Sequence, residues 1–230
     1  MLNQIVLVND EILKITPVYI ILVVFLYMLM YRKTTNFFIF VLESILVFVA
    51  GVFMSYIVSL LGLELVANKY FLLLIPITLL FAYLNKRYVC LAYTGSMLGI
   101  MALCFPKMDI DIIWIIGIVG VLHLLEGILL LITLKYEYKR EVIYLKQKLK
   151  LGYVLEKMWI VPVVITYPVL VILGFSEKES SGRIPRSANR LIIYALTLIF
   201  IYICSKTLDY MEVVGLVVMP LMHERMASEG

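Results

Sequence analysis

The chain has 230 residues, of which 63 % are hydrophobic, and its mean hydropathy is +1.03. Soluble domains average about 45–50 % apolar residues, so this composition excludes an ordinary soluble protein and indicates an integral membrane protein. The net charge of +4 does not indicate nucleic-acid binding, because basic residues in a membrane chain mostly mark topology and contacts with anionic lipid.

Long apolar runs follow one another along the chain. Seven of them predict transmembrane helices: residues 15–31, 37–62, 69–84, 88–105, 112–134, 158–174 and 191–205. An eighth run, 211–222, is shorter and predicts half of a broken helix, a re-entrant segment or an interfacial helix. The predicted fold is an all-α polytopic bundle of seven transmembrane helices, within a range of six to eight. It forms a single multipass domain over 1–230, with no soluble domain.

The basic residues predict the orientation of this bundle. Three alternate loops, after the first, third and fifth runs, hold 11 of the 20 Lys and Arg residues. These loops are therefore expected in the cytoplasm and the N-terminus outside. Seven spans would place the C-terminus inside, and eight would place it outside. The polar loop 175–190 argues against this orientation, because it carries four basic residues and falls outside. The chain begins without the basic segment of a cleavable signal peptide, so the first helix is expected to act as an anchor.

The longest predicted cytoplasmic loop, 135–158, is basic and contains two stretches of strand-forming residues. These stretches, EVIYL and LKLGYVLE, are separated by the polar residues KQK and predict a short β-hairpin at the membrane surface. The alternative is an amphipathic basic helix on anionic lipid, which Gly152 would weaken. The loop is expected to contact anionic headgroups, and a docking surface for a cytoplasmic partner is the second interpretation.

Three ionisable side chains fall inside the predicted spans: Glu43, His123 and Glu126. His123 and Glu126 are three residues apart and share one face of a helix. The predicted topology places Glu43 and Glu126 about 9 and 12 Å below the cytoplasmic surface, at depths where they could meet. A charge at such a depth costs about 3 kcal/mol unless it is paired or neutralised. The group predicts either a proton or substrate relay or polar contacts between helices. The scarcity of other polar residues favours the contacts.

Catalytic and metal-binding motifs are incomplete in this sequence. The segment HERMA (223–227) begins like the metalloprotease motif H-E-x-x-H, but it ends in Ala where the second His belongs. A cysteine peptidase would need a His against Cys90 or Cys104, and no local motif supports one. The sequence thus predicts no enzyme, no cofactor and no metal. The segment TGSMLG predicts close helix packing through small residues. The cysteines are expected to behave as small hydrophobes: Cys90, Cys104 and Cys204.

The stretches VLHLLEGILL, EVIYLKQKLKLGYVLEKMWIVPVV and VVGLVVMPLMHE occur in this order between residues 112 and 224. Together they resemble the multipass membrane region of the MinJ-like, PDZ-containing cell-division proteins of bacteria. The first is similar to the family's His–Leu–x–Glu helix, and the second to its hairpin and the Trp–x–x–Pro that opens the next helix. The third is similar to the apolar segment, ending in His–Glu, that precedes the PDZ domain. The positions that carry the resemblance are Gly152, Trp159, Pro162, Pro220, His223 and Glu224.

The resemblance implies a scaffold in the bacterial cytoplasmic membrane, enriched at the division septum or the cell poles. Such a scaffold connects a curvature-sensing protein of the DivIVA type to division inhibitors of the Min type. The matched residues end before the family's PDZ domain, so peptide binding is not implied, and the segment Trp159–Pro162 lacks a further proline of the family motif. The alternative function is a small-solute transporter or substrate-binding membrane subunit that uses Glu43, His123 and Glu126. An inverted repeat, which would support transport, is not evident in the sequence.

If His123 and Glu126 hold helices together, replacing both with Leu should lower the thermal stability of the purified protein in detergent. The reason is that two helices would lose the polar contacts that fix their rotation. Thermal unfolding followed by circular dichroism measures the effect. Unchanged stability together with altered ion or solute flux would contradict the structural role.

Overall fold

The computed structural model describes residues 2–28, 37–63, 69–133, 139–145, 148–179, 184–208 and 210–228. The described chain is mostly helical and contains one small antiparallel sheet. Two short 3₁₀ segments, Lys69–Leu73 and Lys86–Val89, precede the third and fourth helices. The helices are α1 (Leu2–Leu26), α2 (Phe37–Leu61), α3 (Leu74–Leu84), α4 (Leu91–Cys104), α5 (Ile112–Thr133), α6 (Ile184–Ser205) and α7 (Tyr210–Ser228). The strands are β1 (Lys139–Leu145), β2 (Lys148–Ile165) and β3 (Tyr167–Glu179).

Three described helices are long and apolar enough to cross a membrane: α2, α5 and the part of α6 from Ser187 to Ser205. At about 1.5 Å per residue, the 25 residues of α2 extend about 37 Å, which exceeds the roughly 30 Å hydrocarbon core. Large apolar side chains of α2, including Phe38 and Phe53, are exposed on its surface. Such a surface is unfavourable in water and suits contact with lipid tails. These helices indicate a membrane protein.

Most of the predicted apolar runs coincide with helices, but not all of these helices have the length of a span. Runs 69–84 and 88–105 each form a 3₁₀ segment followed by α3 or α4. These two helices have 11 and 14 residues and extend only about 16 and 21 Å. Run 211–222 lies within the continuous helix α7. Seven transmembrane helices are therefore not confirmed. The runs that match or overlap α1, α2, α5 and α6 are 15–31, 37–62, 112–134 and 191–205.

The prediction of a sixth transmembrane helix over 158–174 is wrong. These residues form the second half of β2 and the first part of β3, joined at Thr166, where φ is 64°. The run is rich in Val and Ile, which favour strands, and both Pro162 and Pro168 would interrupt a helix. An unbroken apolar run does not by itself distinguish a membrane helix from a buried strand. The predicted all-α fold therefore has to be corrected to a helical fold with a three-stranded sheet.

The β-hairpin predicted within 135–158 is confirmed. Strands β1 and β2 pair antiparallel, with Leu145 opposite Lys148. Strand β2 has 18 residues and continues past the end of β1. It then pairs with β3 from Tyr153 to Ile165, which gives the strand order β1-β2-β3. The hairpin is thus part of a larger sheet than the sequence predicted.

Helix α2 packs directly against the second half of β2. A Cβ atom at Gly51 would lie only 2.3 Å from the carbonyl oxygen of Pro162, so a glycine is needed where these backbones meet. Strand β1 begins with Lys139 opposite Val154, so the half of β2 that follows Val154 has one edge unpaired by β1. On that edge the Val164 N–H donates to Ser55 Oγ at 2.9 Å. Pro162 lies two residues away on the same edge and has no N–H that needs a partner.

The chain divides into two compact units. Unit 1 comprises Met1–Glu64 and Leu125–Ala188, and unit 2 comprises Leu65–Leu124 and Asn189–Gly230. Unit 1 contains α1, α2, the sheet and the last part of α5. Unit 2 contains α3, α4, α7, the first part of α5 up to Leu124, and most of α6. The predicted polar loop 175–190 is also corrected, because β3 extends to Glu179 and α6 already begins at Ile184.

We expect Gly51→Ala to lower the free energy of unfolding by about 1–3 kcal/mol, because the added methyl group would overlap the backbone of β2. Gly174→Ala is the matched control within the same unit, since a Cβ atom there meets nothing within 4 Å. Thermal unfolding of both variants in detergent measures the difference. Equal stability of the two variants would argue against the close contact between α2 and β2.

Candidate functional site

Both histidines of the chain and one of its three cysteines form a cluster in unit 2. Cys90 immediately precedes α4, His123 lies in the middle of α5, and His223 lies in the second half of α7. One donor atom of each residue lies within 4.8 Å of the other two. The Cys90 Sγ is 3.3 Å from His123 Nε2, and the two imidazole centroids are 5.5 Å apart. We call these three residues the Cys–His–His cluster.

The backbone at the start of α4 fixes the position of Cys90. Cys90 is the N-cap residue of this helix, with extended backbone angles (φ −60°, ψ 139°). Its carbonyl oxygen accepts hydrogen bonds from the N–H groups of Tyr93 and Thr94. The side chain makes no capping hydrogen bond. The thiol is thus available to His123 instead of the helix end.

Glycines bring the helices of unit 2 close enough for the cluster to form. A Cβ atom at Gly95 would lie 2.8 Å from the Ile115 side chain, and one at Gly99 would lie 2.3 Å from Leu216. On α7, a Cβ atom at Gly215 would lie 2.3 Å from the Ile116 side chain. Close packing through the TGSMLG segment, which contains two of these glycines, is therefore confirmed. Larger residues at these points would separate α4, α5 and α7.

The ring of His123 is held in a defined orientation. Its side chain is 4 % exposed, and its Nδ1–H donates to the Val119 carbonyl oxygen at 2.8 Å, one turn earlier in α5. A neutral imidazole carries one proton, so this hydrogen bond leaves Nε2 with a lone pair facing the Cys90 sulfur. The Tyr194 ring packs perpendicular to the imidazole at 5.0 Å and closes this side of the cluster.

A second chain of hydrogen bonds orients His223. The Tyr93 hydroxyl donates to Glu224 Oε2 at 2.7 Å, and the same hydroxyl oxygen is 3.3 Å from His223 Nδ1. Because the hydroxyl has one proton and gives it to Glu224, Nδ1–H of His223 is the donor in the second contact. The Tyr194 hydroxyl donates to the Met219 carbonyl oxygen at 3.0 Å and connects α6 to α7 in the turn before His223.

The arrangement of the cluster allows two kinds of chemistry. A thiol 3.3 Å from an imidazole nitrogen can transfer its proton, as in cysteine nucleophiles that are activated by a histidine. Thiolate sulfur and imidazole nitrogen are also both zinc ligands. The sequence predicted no catalysis and no metal, and required a histidine against Cys90 or Cys104 for a peptidase. The structure places His123 against Cys90.

The predicted residue Glu43 has its own partner in unit 1. The indole Nε1–H of Trp159 donates to Glu43 Oε1 at 3.0 Å, and Trp159 is only 3 % exposed. This hydrogen bond connects helix α2 to strand β2. The structural role favoured for Glu43 stays a prediction, and its contact with Trp159 is a partner that the sequence did not predict.

The other predicted residues occupy separate places in the fold. Glu126 lies on α5 and is partly exposed, three residues after His123. Gly152 lies in β2 opposite Glu141 of β1. Pro220 lies inside α7, one turn before His223. The predicted group of Glu43, His123 and Glu126 stays a prediction, and the observed partners of Glu43 and His123 are different residues.

Sequence reasoning considered Cys90 as a possible nucleophile but did not predict its contact with His123, and it missed Tyr93 and Tyr194 as members of the site. The available signal was that both histidines of the chain fall within or beside apolar runs that also contain cysteines and tyrosines. No spacing rule joins residues that are 33 and 100 positions apart along the chain, because tertiary packing alone brings them together.

No family model, curated protein or solved structure matches this chain. The similarity to the MinJ-like family therefore stays a prediction that depends on the three sequence stretches.

We expect Trp159→Phe to lower the free energy of unfolding by about 1–3 kcal/mol, because Glu43 would lose its indole donor inside the fold. Glu43→Gln keeps an acceptor oxygen and should be tolerated better than Glu43→Leu. A double-mutant cycle of Trp159→Phe with Glu43→Leu should give a coupling energy of about 1 kcal/mol.

Trp114→Phe is the control for this cycle, because the buried Trp114 Nε1 has no hydrogen-bond partner among the described residues. Combined with Glu43→Leu it should give additive effects. A coupling of the same size for both tryptophans would show that the effect does not arise from the hydrogen bond.

Proposed function

We propose that this chain is a non-catalytic membrane scaffold that positions partner proteins in bacterial cell division or at the cell poles. The observation that supports this role best is that polar side chains of the apolar helices contact side chains of other elements. Glu43, His123 and Glu224 each contact a side chain of a different element, Trp159, Cys90 and Tyr93 respectively. Contacts of this kind fix helices relative to one another, which a scaffold requires.

The resemblance to the MinJ-like membrane region supplies the biological setting of the proposal. His123, Trp159 and His223, which lie in the stretches that carry this resemblance, all have structural partners in the fold. In the proposed scaffold, the partners are cell-division proteins of the DivIVA and Min types. The protein resides in the cytoplasmic membrane as a multipass protein, with enrichment at septa or poles.

The β1–β2 hairpin is the proposed docking surface for cytoplasmic partners. Its residues carry a cluster of Lys and Arg, which suits contact with anionic headgroups at the inner membrane surface. Pairing with β3 extends the hairpin into a sheet that packs on α2, so the hairpin is attached to a membrane-length helix. A docking surface that is attached to α2 through the sheet keeps a fixed position at the membrane.

A transporter or substrate-binding subunit is the second candidate function. The observation that favours it is the continuous polar chain in unit 2, from Cys90 through the two histidines and Tyr93 to Glu224. Ionisable groups inside membrane helices often line proton or solute pathways. A transporter would lose solute uptake when His123 or His223 is replaced, whereas a scaffold would keep normal membrane permeability.

The scaffold proposal predicts that a fluorescent fusion to the C-terminus forms foci at division septa or poles, and that deletion of the protein impairs septum placement. Fluorescence microscopy of dividing cells measures both. Uniform fluorescence around the membrane with normal division would contradict the proposal. Stable protein without fluorescence would indicate an external C-terminus.

A charge-matched pair of variants tests the docking surface. Replacing Lys148 and Lys150 of the hairpin with Gln should reduce the fraction of cells with foci, because the surface loses two charges. Replacing the exposed Lys107 and Lys206 with Gln removes the same charge elsewhere and should leave the foci unchanged. Equal effects of both pairs would indicate a general response to charge.

A further inference from the structure

We propose that the Cys–His–His cluster binds one Zn²⁺ ion per chain through Cys90, His123 and His223. This inference goes beyond the scaffold proposal and does not depend on it. It follows from the identity of the donor atoms, from their distances and from the hydrogen bonds behind the two imidazole rings.

The donor set selects a borderline-soft divalent ion. A thiolate and imidazole nitrogens favour zinc, whereas Mg²⁺ and Ca²⁺ prefer oxygen ligands. In tetrahedral coordination, Zn–S bonds of about 2.3 Å and Zn–N bonds of about 2.0 Å place neighbouring ligand atoms about 3.3–3.6 Å apart. Cys90 Sγ and His123 Nε2 are already 3.3 Å apart, and one donor atom of each of the three residues lies within 4.8 Å of the others. Small side-chain movements would complete the coordination.

The hydrogen bonds behind the rings are the second, independent observation. Histidines that bind metal usually donate their other ring N–H to a carbonyl or carboxylate group, which fixes the tautomer and the ring orientation. His123 donates Nδ1–H to the Val119 carbonyl oxygen. His223 donates Nδ1–H to Tyr93, whose hydroxyl donates to Glu224. Both hydrogen bonds leave a lone pair on Nε2 of the ring, and the Nε2 of His123 lies 3.3 Å from the Cys90 sulfur.

The charges in and around the cluster suit a divalent cation. Cys90 would bind as a thiolate, so uptake of Zn²⁺ releases the thiol proton to solvent. The resulting site carries the charge of the ion and one thiolate, and the Glu224 carboxylate lies two hydrogen bonds away through Tyr93. A nearly balanced charge lowers the cost of placing an ion among apolar helices.

The three ligands come from three separate helical elements: the start of α4, α5 and α7. One bound ion would thus cross-link these helices within unit 2. Three protein donors leave a fourth tetrahedral position for water or another small ligand, as in zinc sites that are not closed by protein.

Titration of the full-length protein in detergent, without a polyhistidine tag, with Co²⁺ and then Zn²⁺ tests the proposal. Co²⁺ should saturate at one ion per chain and give a sulfur-to-cobalt charge-transfer band in the near ultraviolet together with visible bands of tetrahedral cobalt. Zn²⁺ should displace Co²⁺ and raise the thermal unfolding temperature. Saturation without the sulfur band, or no saturable binding, would overturn the proposal.

Three sets of variants assign the ligands. Cys90→Ser should abolish the sulfur band, while Cys104→Ser and Cys204→Ser, which alter the other two cysteines, should retain it. His123→Gln and His223→Gln should each abolish stoichiometric binding. Tyr93 is a positioning residue, so Tyr93→Phe should keep the sulfur band and weaken metal affinity by about 10- to 100-fold. Loss of the band in Cys104→Ser or Cys204→Ser, with its retention in Cys90→Ser, would overturn the assignment.

A further test uses the wild-type protein, so its result does not require that any variant folds. Brief treatment with N-ethylmaleimide, followed by mass spectrometry, measures the alkylation rate of each cysteine. Zn²⁺ should slow alkylation of Cys90 and leave that of the exposed Cys104 unchanged. Equal rates at Cys90 with and without Zn²⁺ would contradict metal binding. Fast alkylation of Cys90 in both conditions would instead indicate a nucleophilic thiol activated by His123.

Discussion

The fold depends on one constraint: polar groups buried among apolar helices need partners, and among the described residues the buried side-chain atoms without one are Thr94 Oγ1 and Trp114 Nε1. Leaving a buried donor or acceptor unpaired costs about 1–3 kcal/mol, and an unpaired charge costs more. Glu43 meets this constraint through Trp159, and the backbone edge of β2 meets it through Ser55. In unit 2, the two histidines, Tyr93 and Glu224 meet it together. The same contacts determine which elements pack against one another.

Glycines and a proline permit these contacts in two different ways. A glycine lacks the Cβ atom that would overlap the neighbouring element, and a proline lacks the backbone N–H that would need a hydrogen-bond partner. Gly51 lets α2 approach the backbone of β2, and Gly99 and Gly215 allow α7 to approach its neighbours in unit 2. Pro162 has no N–H, so the open edge of β2 has one fewer donor to satisfy. Polar pairing and close packing thus support each other, since a hydrogen bond at about 3 Å needs backbones that lie near enough for its two groups to meet.

The structural and functional interpretations of the Cys–His–His cluster are compatible. Contacts among Cys90, His123 and His223 already link α4, α5 and α7, and a bound zinc ion would strengthen the same link. A thiolate and two imidazoles nevertheless have a chemical character that hydrogen bonding alone does not require, which is why the cluster merits tests of its own.

The sequence by itself determined the membrane class, most helices and the β1–β2 hairpin, because hydrophobicity and alternation are local properties. It did not determine that 158–174 is strand, since an unbroken apolar run fits a buried strand as well as a membrane helix, and pairing of β2 with β3 and packing on α2 stabilise the strand. Histidine and cysteine positions were visible in the sequence, and so was the small-residue segment TGSMLG. Only the tertiary structure brought Cys90, His123 and His223 together, because residues on three different helices meet through packing and no spacing along the chain encodes that contact.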